Sequence, residues 1–261
     1  MSSPEANPLA QALLPAWQGF CQLPPLSDAQ RLHKRSQGYQ AQHALWQACQ
    51  EPSYGWKIAA TSLAGQQHIG VSGPLAGRLL PSRRLAPGAS LSLRGNVMRV
   101  MEAEFAFRLG TDLSQDKDWS MSEVMAGVEA LHLAIEIPNS RYTGFEHVGE
   151  ACLIADFACA GHVVMGHEVT TPWRDRDLSQ HAVQVLRGDQ AVAQGVGANV
   201  LGDPRIALTW LANELLANGM HLKQGDWVIT GTCVVPVVVS EGDAMCADFG
   251  DLGQLSVQFT A

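Results

Sequence analysis

The sequence predicts an α+β fold in which an N-terminal helical region precedes a β-rich core. Apolar residues recur at helical spacing before residue 50, whereas short β-like runs separated by Gly and Pro dominate after it. The 261 residues are 46% hydrophobic and 16% charged, a composition that supports a substantial core and excludes disorder as the main state. We therefore expect a helical region over 1–50 and a β-rich core over 51–261.

The helices are predicted from apolar periodicity and from their end signals. Leu9, Leu13 and Trp17 share a helical face, and Leu23-Pro24-Pro25 ends that pattern. Capping residues and Pro at the first turn mark further helix starts. The predicted helices are a first from residue 8 to the break at Leu23-Pro24-Pro25, a second from about residue 28 to about Cys49, a third over 121–130, and a fourth from 204 to Gly219.

The strands are predicted from short apolar or alternating runs bounded by turn residues. A hairpin is expected around Gly188-Asp189, where two such runs flank a Gly-Asp turn. The remaining runs are YGWKIAAT, HIGVSGPLAG, ASLSLRG, RVMEAEFAFRL, LHLAIEI, CLIADFACAGHVVMG, DWVITGT, VVPVVV, AMCADFG and QLSVQFT.

Charge and composition exclude several classes of protein. Lys and Arg number 17 against 25 Asp and Glu, a net charge of −8, which argues against a nucleic-acid binder. No run approaches the ~18 to 20 apolar residues of a membrane span, and the first residues lack the features of a secretory signal. The six cysteines form no C-x-x-C pair, so reduced thiols and a cytoplasmic location are expected.

Three glutamates are candidate ligands of a divalent cation. Glu102 and Glu104, two residues apart in a strand, share one face at a spacing of roughly 6.5 to 7 Å. Glu136 ends an apolar run just before a turn, where scaffolds often place reactive groups. Such carboxylates suit Mg²⁺ or Mn²⁺. The alternatives are a solvent-facing strand for the first two and an ion pair with Arg141 for Glu136.

Lys57 is a candidate proton-transfer group. Lysine is scarce in this chain, and Lys57 lies in a strand-like run between Trp56 and Ile58. Burial would lower its pKa, and nearby carboxylates would raise it. The alternative is an edge-strand lysine whose ammonium reaches solvent.

The segment Thr230-Gly231-Thr232 follows an apolar strand and is a candidate substrate-holding turn. Gly231 would let the backbone approach a ligand closely, and the flanking amides and hydroxyls could hold a carboxylate. The alternative is a strand that simply closes in a tight turn.

Six stretches together resemble the 2-oxopent-4-enoate hydratase branch of the fumarylacetoacetate hydrolase superfamily, which also includes 4-oxalocrotonate decarboxylases. Each stretch alone is weak, but their order along the chain is specific for the family. The stretches are GWKIAATS (55–62), HIGVSGPLAGRLL (68–80), MEAEFAFRL (101–109), AIEIPNSRY (134–142), GANVLGDPRIALTWLANEL (197–215) and GDWVITGT (225–232).

The resemblance implies a mixed β-roll or sandwich core of the fumarylacetoacetate hydrolase C-terminal type. It implies Mg²⁺ or Mn²⁺ held by Glu102, Glu104 and Glu136, with Lys57 as the active-site lysine. Gly231 and Thr232 would hold the substrate, a small 2-oxo or 2-hydroxy unsaturated acid. A homo-oligomer is expected from the family's tendency towards assemblies, and neither nucleic acid nor membrane is an expected partner.

The activity implied is hydration of a short 2-hydroxy-2,4-dienoate to a 4-hydroxy-2-oxo acid in aromatic-compound catabolism. A 4-oxalocrotonate-type decarboxylase would use the same electron sink, and a non-catalytic oxoacid binder or partner subunit is a further alternative. Two departures bear on that last alternative. Many relatives carry aspartate where Ser72 stands, and Asp-Asn where this chain has Asp156-Phe157. Ser72 cannot act as a base at neutral pH, so it is not a catalytic candidate.

Overall fold

Two β-sheets lie at the centre of the computed structural model, which describes residues 7–19 and 21–261. In this part of the chain the larger sheet has eight strands and the smaller has five. The strands are β1 (Gly55–Ala59), β2 (Leu75–Leu79), β3 (Arg84–Leu85), β4 (Ser90–Ser92), β5 (Val100–Leu109), β6 (Val128–Ile137), β7 (His162–Glu168), β8 (Ala182–Arg187), β9 (Gln190–Val196), β10 (Trp227–Thr232), β11 (Val237–Val238), β12 (Ala244–Asp248) and β13 (Gln254–Thr260).

The order of the strands brings distant parts of the chain together. The larger sheet runs β2-β1-β10-β5-β6-β7-β3, with β11 beside β5, and the smaller runs β4-β13-β12-β8-β9. β1 pairs in parallel with β10, whereas β5 pairs antiparallel with both β10 and β6. Four strands that start at residues 55, 100, 128 and 227 are therefore consecutive neighbours. This confirms a mixed β core with helices around it.

Helices pack against the sheets and connect their strands. They are α1 (Pro8–Gly19), α2 (Arg35–Cys49), α3 (Leu63–His68), α4 (Met121–Ala126), α5 (Glu150–Ala155) and α6 (Pro204–Ala217). Short 3₁₀ helices cover Asp28–Gln30, Pro81–Arg83, Phe145–His147, Phe157–Cys159, Gly197–Asn199 and Gly250–Leu252. No helix in the described ranges is long and apolar enough to cross a membrane.

The helix predicted from residue 204 is confirmed, together with its end signals. The Asp203 side chain caps it by accepting from the Arg205 amide at 2.7 Å, and Pro204 occupies the first turn. The helix ends at Ala217, just before Gly219 with its positive φ of 69°. Local capping chemistry alone fixes both ends of this element.

Two other predicted helices are wrong at one end. The second begins at Arg35, and only a 3₁₀ turn covers Asp28–Gln30. The third ends at Ala126, where the prediction extended it to residue 130. Residues 128–137 instead form β6, since pairing with both β5 and β7 outweighs the local helical pattern.

Two predicted β-runs are partly helical. The run HIGVSGPLAG has His68 at the end of α3, and its strand starts only at Leu75. The run CLIADFACAGHVVMG begins inside α5, and its strand starts at His162. Because α5 is buried on almost every side, its sequence lacks the polar face that marks a helix.

The N-terminal helices share the main core with the sheets. Tyr39 and Leu45 of α2 belong to the same apolar cluster as the strands. The buried amide of Gln42 donates to the carbonyls of Ala76 at 2.9 Å and Ile154 at 2.7 Å, which ties α2 to β2 and α5. Residues 1–6 and 20, part of the predicted region 1–50, lie outside the described residues. The boundary at residue 50 stays a prediction.

Candidate metal centre and active site

Three glutamates from neighbouring strands converge at one point of the larger sheet. Glu102 and Glu104 lie on β5, and Glu102 is directly opposite Glu136 of β6 in the register of the two strands. One carboxylate oxygen from each residue lies within 4.8 Å of the others. Glu104 and Glu136 are fully buried, and Glu102 is half-buried. The prediction that these acids could share one cation is therefore geometrically supported.

The environment of these carboxylates fits a hard cation. Like charges directly opposite each other in a sheet are destabilising, and buried oxygens normally have a partner. Among the described residues, Glu104 Oε1 and Glu136 Oε2 have no hydrogen-bond partner, and Glu136 Oε1 has only its ion pair with Lys57 Nζ. Carboxylate oxygens grouped around one point are the donors that Mg²⁺ and Mn²⁺ prefer. The solvent-facing alternative for the Glu102–Glu104 strand does not hold, because Glu104 has no exposed surface.

Lys57 lies beside the acidic cluster. Its Nζ is 3.0 Å from Glu136 Oε1, as an ion pair, and it donates to the Ala158 carbonyl at 3.0 Å. The side chain is only 2% exposed, and β1 lies between β2 and β10. The edge-strand alternative for Lys57 is therefore wrong. The proposed ion pair between Glu136 and Arg141 is also replaced by the contact with Lys57.

The Gly231 amide serves the acidic cluster. Gly231 N donates to Glu104 Oε2 at 2.7 Å, so this backbone group positions a candidate metal ligand. Its φ is +105°, and a Cβ there would lie 2.2 Å from Thr61 Oγ1. Thr232 Oγ1 donates to the Val234 carbonyl at 2.8 Å. Both residues line the cavity, but their role in holding substrate stays a prediction.

A cavity of about 640 Å³ opens onto this cluster. Lys57, Glu102, Gly231 and Thr232 form part of its wall. Clefts of roughly 300–1,000 Å³ are typical of small-molecule sites. The candidate residues on β1, β5 and β10 therefore face a space that can hold a substrate.

Burial shifts the titration of every group in the cluster. Burial and the neighbouring Glu136 raise the pKa of Glu102 to about 7. Burial also raises the pKa of Glu104 and of Glu136, although Lys57 opposes it in both. For Lys57, burial lowers the pKa, but the surrounding glutamates outweigh it and the net shift is upward. The lysine is thus held as an ammonium group by the acids around it.

We expect a bound divalent cation to stabilise the protein more at about pH 8 than at about pH 5.5. Raised carboxyl pKa values mean that the metal-free folded state binds more protons than the unfolded chain. The stability contributed by these groups is therefore present below about pH 4.5 and is lost as pH rises through about 7. A cation requires the deprotonated acids, so its affinity rises over the same window. Thermal unfolding with Mg²⁺ or with chelator, at several pH values, measures the stabilisation by the cation. A shift in Tm that does not depend on pH would contradict this prediction.

A buried ion pair behind Lys57 was not predicted from the sequence. The Arg141 guanidinium pairs with the Asp156 carboxylate, and both side chains are almost fully buried. Arg141 also donates to the Asp156 and Ala160 carbonyls, each at 2.6 Å. The segment between Asp156 and Ala160 includes Ala158, whose carbonyl accepts a hydrogen bond from Lys57. The available sequence signal for this ion pair was Asp156, an acid within an apolar run, because a buried acid needs a partner.

The turn that this ion pair holds has an unusual backbone. Phe157, Ala158 and Cys159 have φ values of 50°, 50° and 60°, in the left-handed region that non-Gly residues rarely adopt. Such backbone strain persists only where the surrounding structure enforces it. The Arg141–Asp156 ion pair and the hydrogen bond from Lys57 to Ala158 hold the turn in this conformation.

The two departures from the family pattern lie off the cavity wall. Ser72 is exposed, and its amide and hydroxyl both donate to Glu150 Oε2 at 2.9 Å. The Phe157 ring is buried and packs edge-on against Trp17 of α1, with ring centroids 5.0 Å apart. Neither residue lines the cavity described above. They therefore give the non-catalytic alternative little support.

The fold and the site together define a class of protein. A cavity with a few convergent polar groups in its wall is typical of a small-molecule site, and the grouped carboxylates are the usual donors for a hard cation. The sequence pattern of the fumarylacetoacetate (FAA) hydrolase C-terminal family matches residues 30–260, and the chain belongs to this family. The prediction of family and fold is thereby confirmed.

Relatives named as hydratases match most of the chain. It is 32% identical over 240 residues to 2-keto-4-pentenoate hydratase 1 of Dechloromonas aromatica, an alignment that spans 90% of this chain and 89% of the relative. It is 33% identical over 218 residues to 2-hydroxyhexa-2,4-dienoate hydratase of Comamonas testosteroni, spanning 83% and 81%. These relatives confirm the prediction of a lyase-type enzyme.

Among solved structures, 4-oxalocrotonate decarboxylase from Pseudomonas putida G7, complexed with magnesium and adipate, has a similar fold. The TM-score is 0.89 at 23% sequence identity, over 99% of this chain and 98% of the other. At this identity the likeness concerns the fold.

Proposed function

We propose that this chain is a metal-dependent hydratase that adds water to a short 2-hydroxy-2,4-dienoate and forms a 4-hydroxy-2-oxo acid. The observation that carries the proposal is the cluster of three glutamates next to Lys57 at the wall of a cavity, in which Glu104 and Glu136 each keep a buried oxygen without a described hydrogen-bond partner. Hydratases of such acids are the relatives at about 30% identity. Aromatic-compound catabolism is the proposed context.

The cation is proposed to be Mg²⁺ or Mn²⁺, held by Glu102, Glu104 and Glu136. When bound, it would act as a Lewis acid towards the carboxylate and 2-oxo oxygens of the substrate and stabilise enolate-like charge. The chain's own residues keep this site in order. Gly231 fixes one carboxylate through its amide, and Lys57 compensates the charge of another.

Lys57 is the proposed proton-transfer group. The substrate loses its enol proton and gains one at C5, which gives an enone; the hydroxyl of water then adds at C4 and hydrogen adds at C3. Lys57, held as an ammonium group and facing the cavity, can supply the proton to carbon. Thr232 and the backbone near Gly231 are proposed to hold the substrate carboxylate.

The direct test is hydration of 2-hydroxypenta-2,4-dienoate by the purified protein. We expect the dienol absorbance to fall with Mg²⁺ or Mn²⁺ and not with chelator, and the product mass to show one added water. An untouched dienol together with CO₂ release from 4-oxalocrotonate would replace the hydratase with the decarboxylase. Tight binding of oxalate without turnover of any short 2-oxo acid would favour the non-catalytic alternative.

Replacing Lys57 with methionine is expected to lower kcat by about 10² to 10⁴-fold, the usual contribution of a positioned proton donor. Binding of the cation, measured by calorimetry, is expected to persist because the three carboxylates remain. Lys223→Met is the matched control, since Lys223 is exposed and outside the cavity. Full activity of Lys57→Met would remove the lysine from the mechanism.

A cytoplasmic location and a homo-oligomeric assembly are also part of the proposal. Light scattering coupled to size-exclusion chromatography tests the assembly, and a monomer at working concentration would contradict it.

A further inference from the structure

We propose that the cavity selects 2-hydroxy-2,4-dienoates that carry an apolar alkyl or aryl substituent at C5, and that it disfavours a second carboxylate there. This inference rests on the proposed hydratase function and specifies the substrate beyond its reacting carbons. It is carried by the charge, the surface chemistry and the size of the cavity.

The cavity places its positive charge at the acidic cluster. Among its described lining residues, Lys57 is the one Lys or Arg side chain, and it is already engaged by Glu136 and the Ala158 carbonyl. The other titratable groups in the wall, apart from Glu102 and the Cys159 thiol, are His68 and Glu146. A second carboxylate would therefore find no guanidinium or free ammonium, and it would meet the negative charge of Glu146.

The face of β5 that carries the acids becomes apolar along the strand. Glu104, Glu102 and Val100 are every second residue of the strand and share one face, so each lies about 6.5 to 7 Å from the next. Glu104 is fully buried, whereas Glu102 and Val100 are half-buried and line the cavity. The surface beyond the acids, in the direction of Val100, is thus aliphatic.

Other elements continue this apolar surface. Six side chains form what we call the apolar wall: Ile69, Leu75, Val97, Met98, Val100 and Phe145. His68 faces the same region, with its ring edge-on to that of Phe145 and the centroids 6.4 Å apart. The apolar wall comes from β5, the segment before it, the C-cap of α3, β2 and a 3₁₀ helix, so it does not depend on one loop.

The apolar surface extends to the cavity mouth. Val97 is 42% exposed and Val235 is 77% exposed, and both line the cavity. Exposed apolar groups that continue a cleft are typical of ligand-binding surfaces. At about 640 Å³, the cavity is also larger than an unsubstituted five-carbon acid requires. An apolar tail would fill the remaining space and remove this surface from water.

The test compares four substrates under one set of conditions with Mg²⁺: 2-hydroxypenta-2,4-dienoate and its 5-propyl, 5-phenyl and 5-carboxyl derivatives. We expect kcat/KM for the propyl or phenyl compound to exceed that of the parent by at least about tenfold, mainly through KM, since one buried methylene can be worth that much. The 5-carboxyl compound is expected to be at least about tenfold poorer than the parent.

A charged substitution in the apolar wall is the second test of this inference. Val97→Lys is expected to lose about tenfold in kcat/KM for the 5-propyl substrate and to improve the 5-carboxyl substrate. Val238→Lys is the matched control, because Val238 is 66% exposed on β11 and does not line the cavity. It is expected to leave all four substrates unchanged.

The outcomes separate this inference from the proposed function. Turnover of the parent with no gain from an apolar tail would overturn the inference and leave the hydratase standing. Hydration of the 5-carboxyl substrate as efficient as that of the parent, seen as one added water, would also overturn it, as would an unchanged profile for Val97→Lys. Because that substrate is the enol form of 4-oxalocrotonate, CO₂ release from it with the parent dienol untouched would instead favour the decarboxylase and overturn the proposed function. Turnover of none of the four would overturn both.

Discussion

Glu104→Gln is expected to remove metal binding and metal-dependent activity while the metal-free protein stays folded. The two side chains have the same shape, and the glutamine oxygen can keep the hydrogen bond from the Gly231 amide. The amide nitrogen then takes the place of Glu104 Oε1, the oxygen without a partner. An NH₂ group is a donor, so it would bind the neighbouring carboxylates in place of a cation.

The expected loss of metal affinity exceeds the roughly 10- to 100-fold that is usual for residues that only orient a ligand. Because the three clustered acids repel one another, removing one charge is expected to leave the metal-free protein at least as stable as before. Calorimetric titration with Mn²⁺, together with Tm measured with and without the metal, reports the two effects separately. Retained affinity would show that the cluster is not a metal site.

Glu129→Gln is the matched control for this variant. Glu129 is an exposed glutamate that pairs with Arg108 at 3.0 Å on the surface. Its replacement also removes one carboxylate, but at a site outside the cluster. We expect both the affinity for Mn²⁺ and the activity of this variant to match those of the unmodified chain.

The acidic cluster was partly predictable from sequence because a strand has a period of two. That period places Glu102 and Glu104 on one face without knowledge of any other strand. The approach of Glu136 depends on the pairing of β5 with β6, and that of Lys57 on the order β1-β10-β5-β6. These long-range pairings were accessible only through family resemblance.

The parts that could not be predicted are those in which tertiary contacts override local signals. α5 is an apolar run without a polar face, and nothing in its sequence distinguishes it from a buried strand. The left-handed conformation of Ala158 occurs without the glycine that usually indicates it. The partner of Asp156 lies 15 residues earlier in the chain, on the other side of α5, so a single sequence identifies the acid without its arginine.

Asp156→Asn is expected to destabilise the protein by roughly 3–5 kcal/mol, because it leaves the Arg141 guanidinium buried without its counter-charge. Asp156 accepts from the Arg141 amide at 2.9 Å and from Ser140 Oγ at 3.1 Å, in addition to the guanidinium. Urea unfolding measures the loss. Asp251→Asn is the matched control, since Asp251 pairs with Arg176 on the surface, and little change is expected there.

The same ion pair is expected to act on activity by positioning Lys57. The double variant Arg141→Met/Asp156→Leu removes both charges and is expected to recover much of the lost stability, as apolar replacement of buried ion pairs often does. It removes the ion pair that holds the left-handed turn, so the Ala158 carbonyl no longer fixes the position of the lysine Nζ. We therefore expect the double variant to have a lower kcat than the unmodified chain and a similar KM, although its stability recovers. Recovery of kcat together with stability would show that the ion pair serves folding alone.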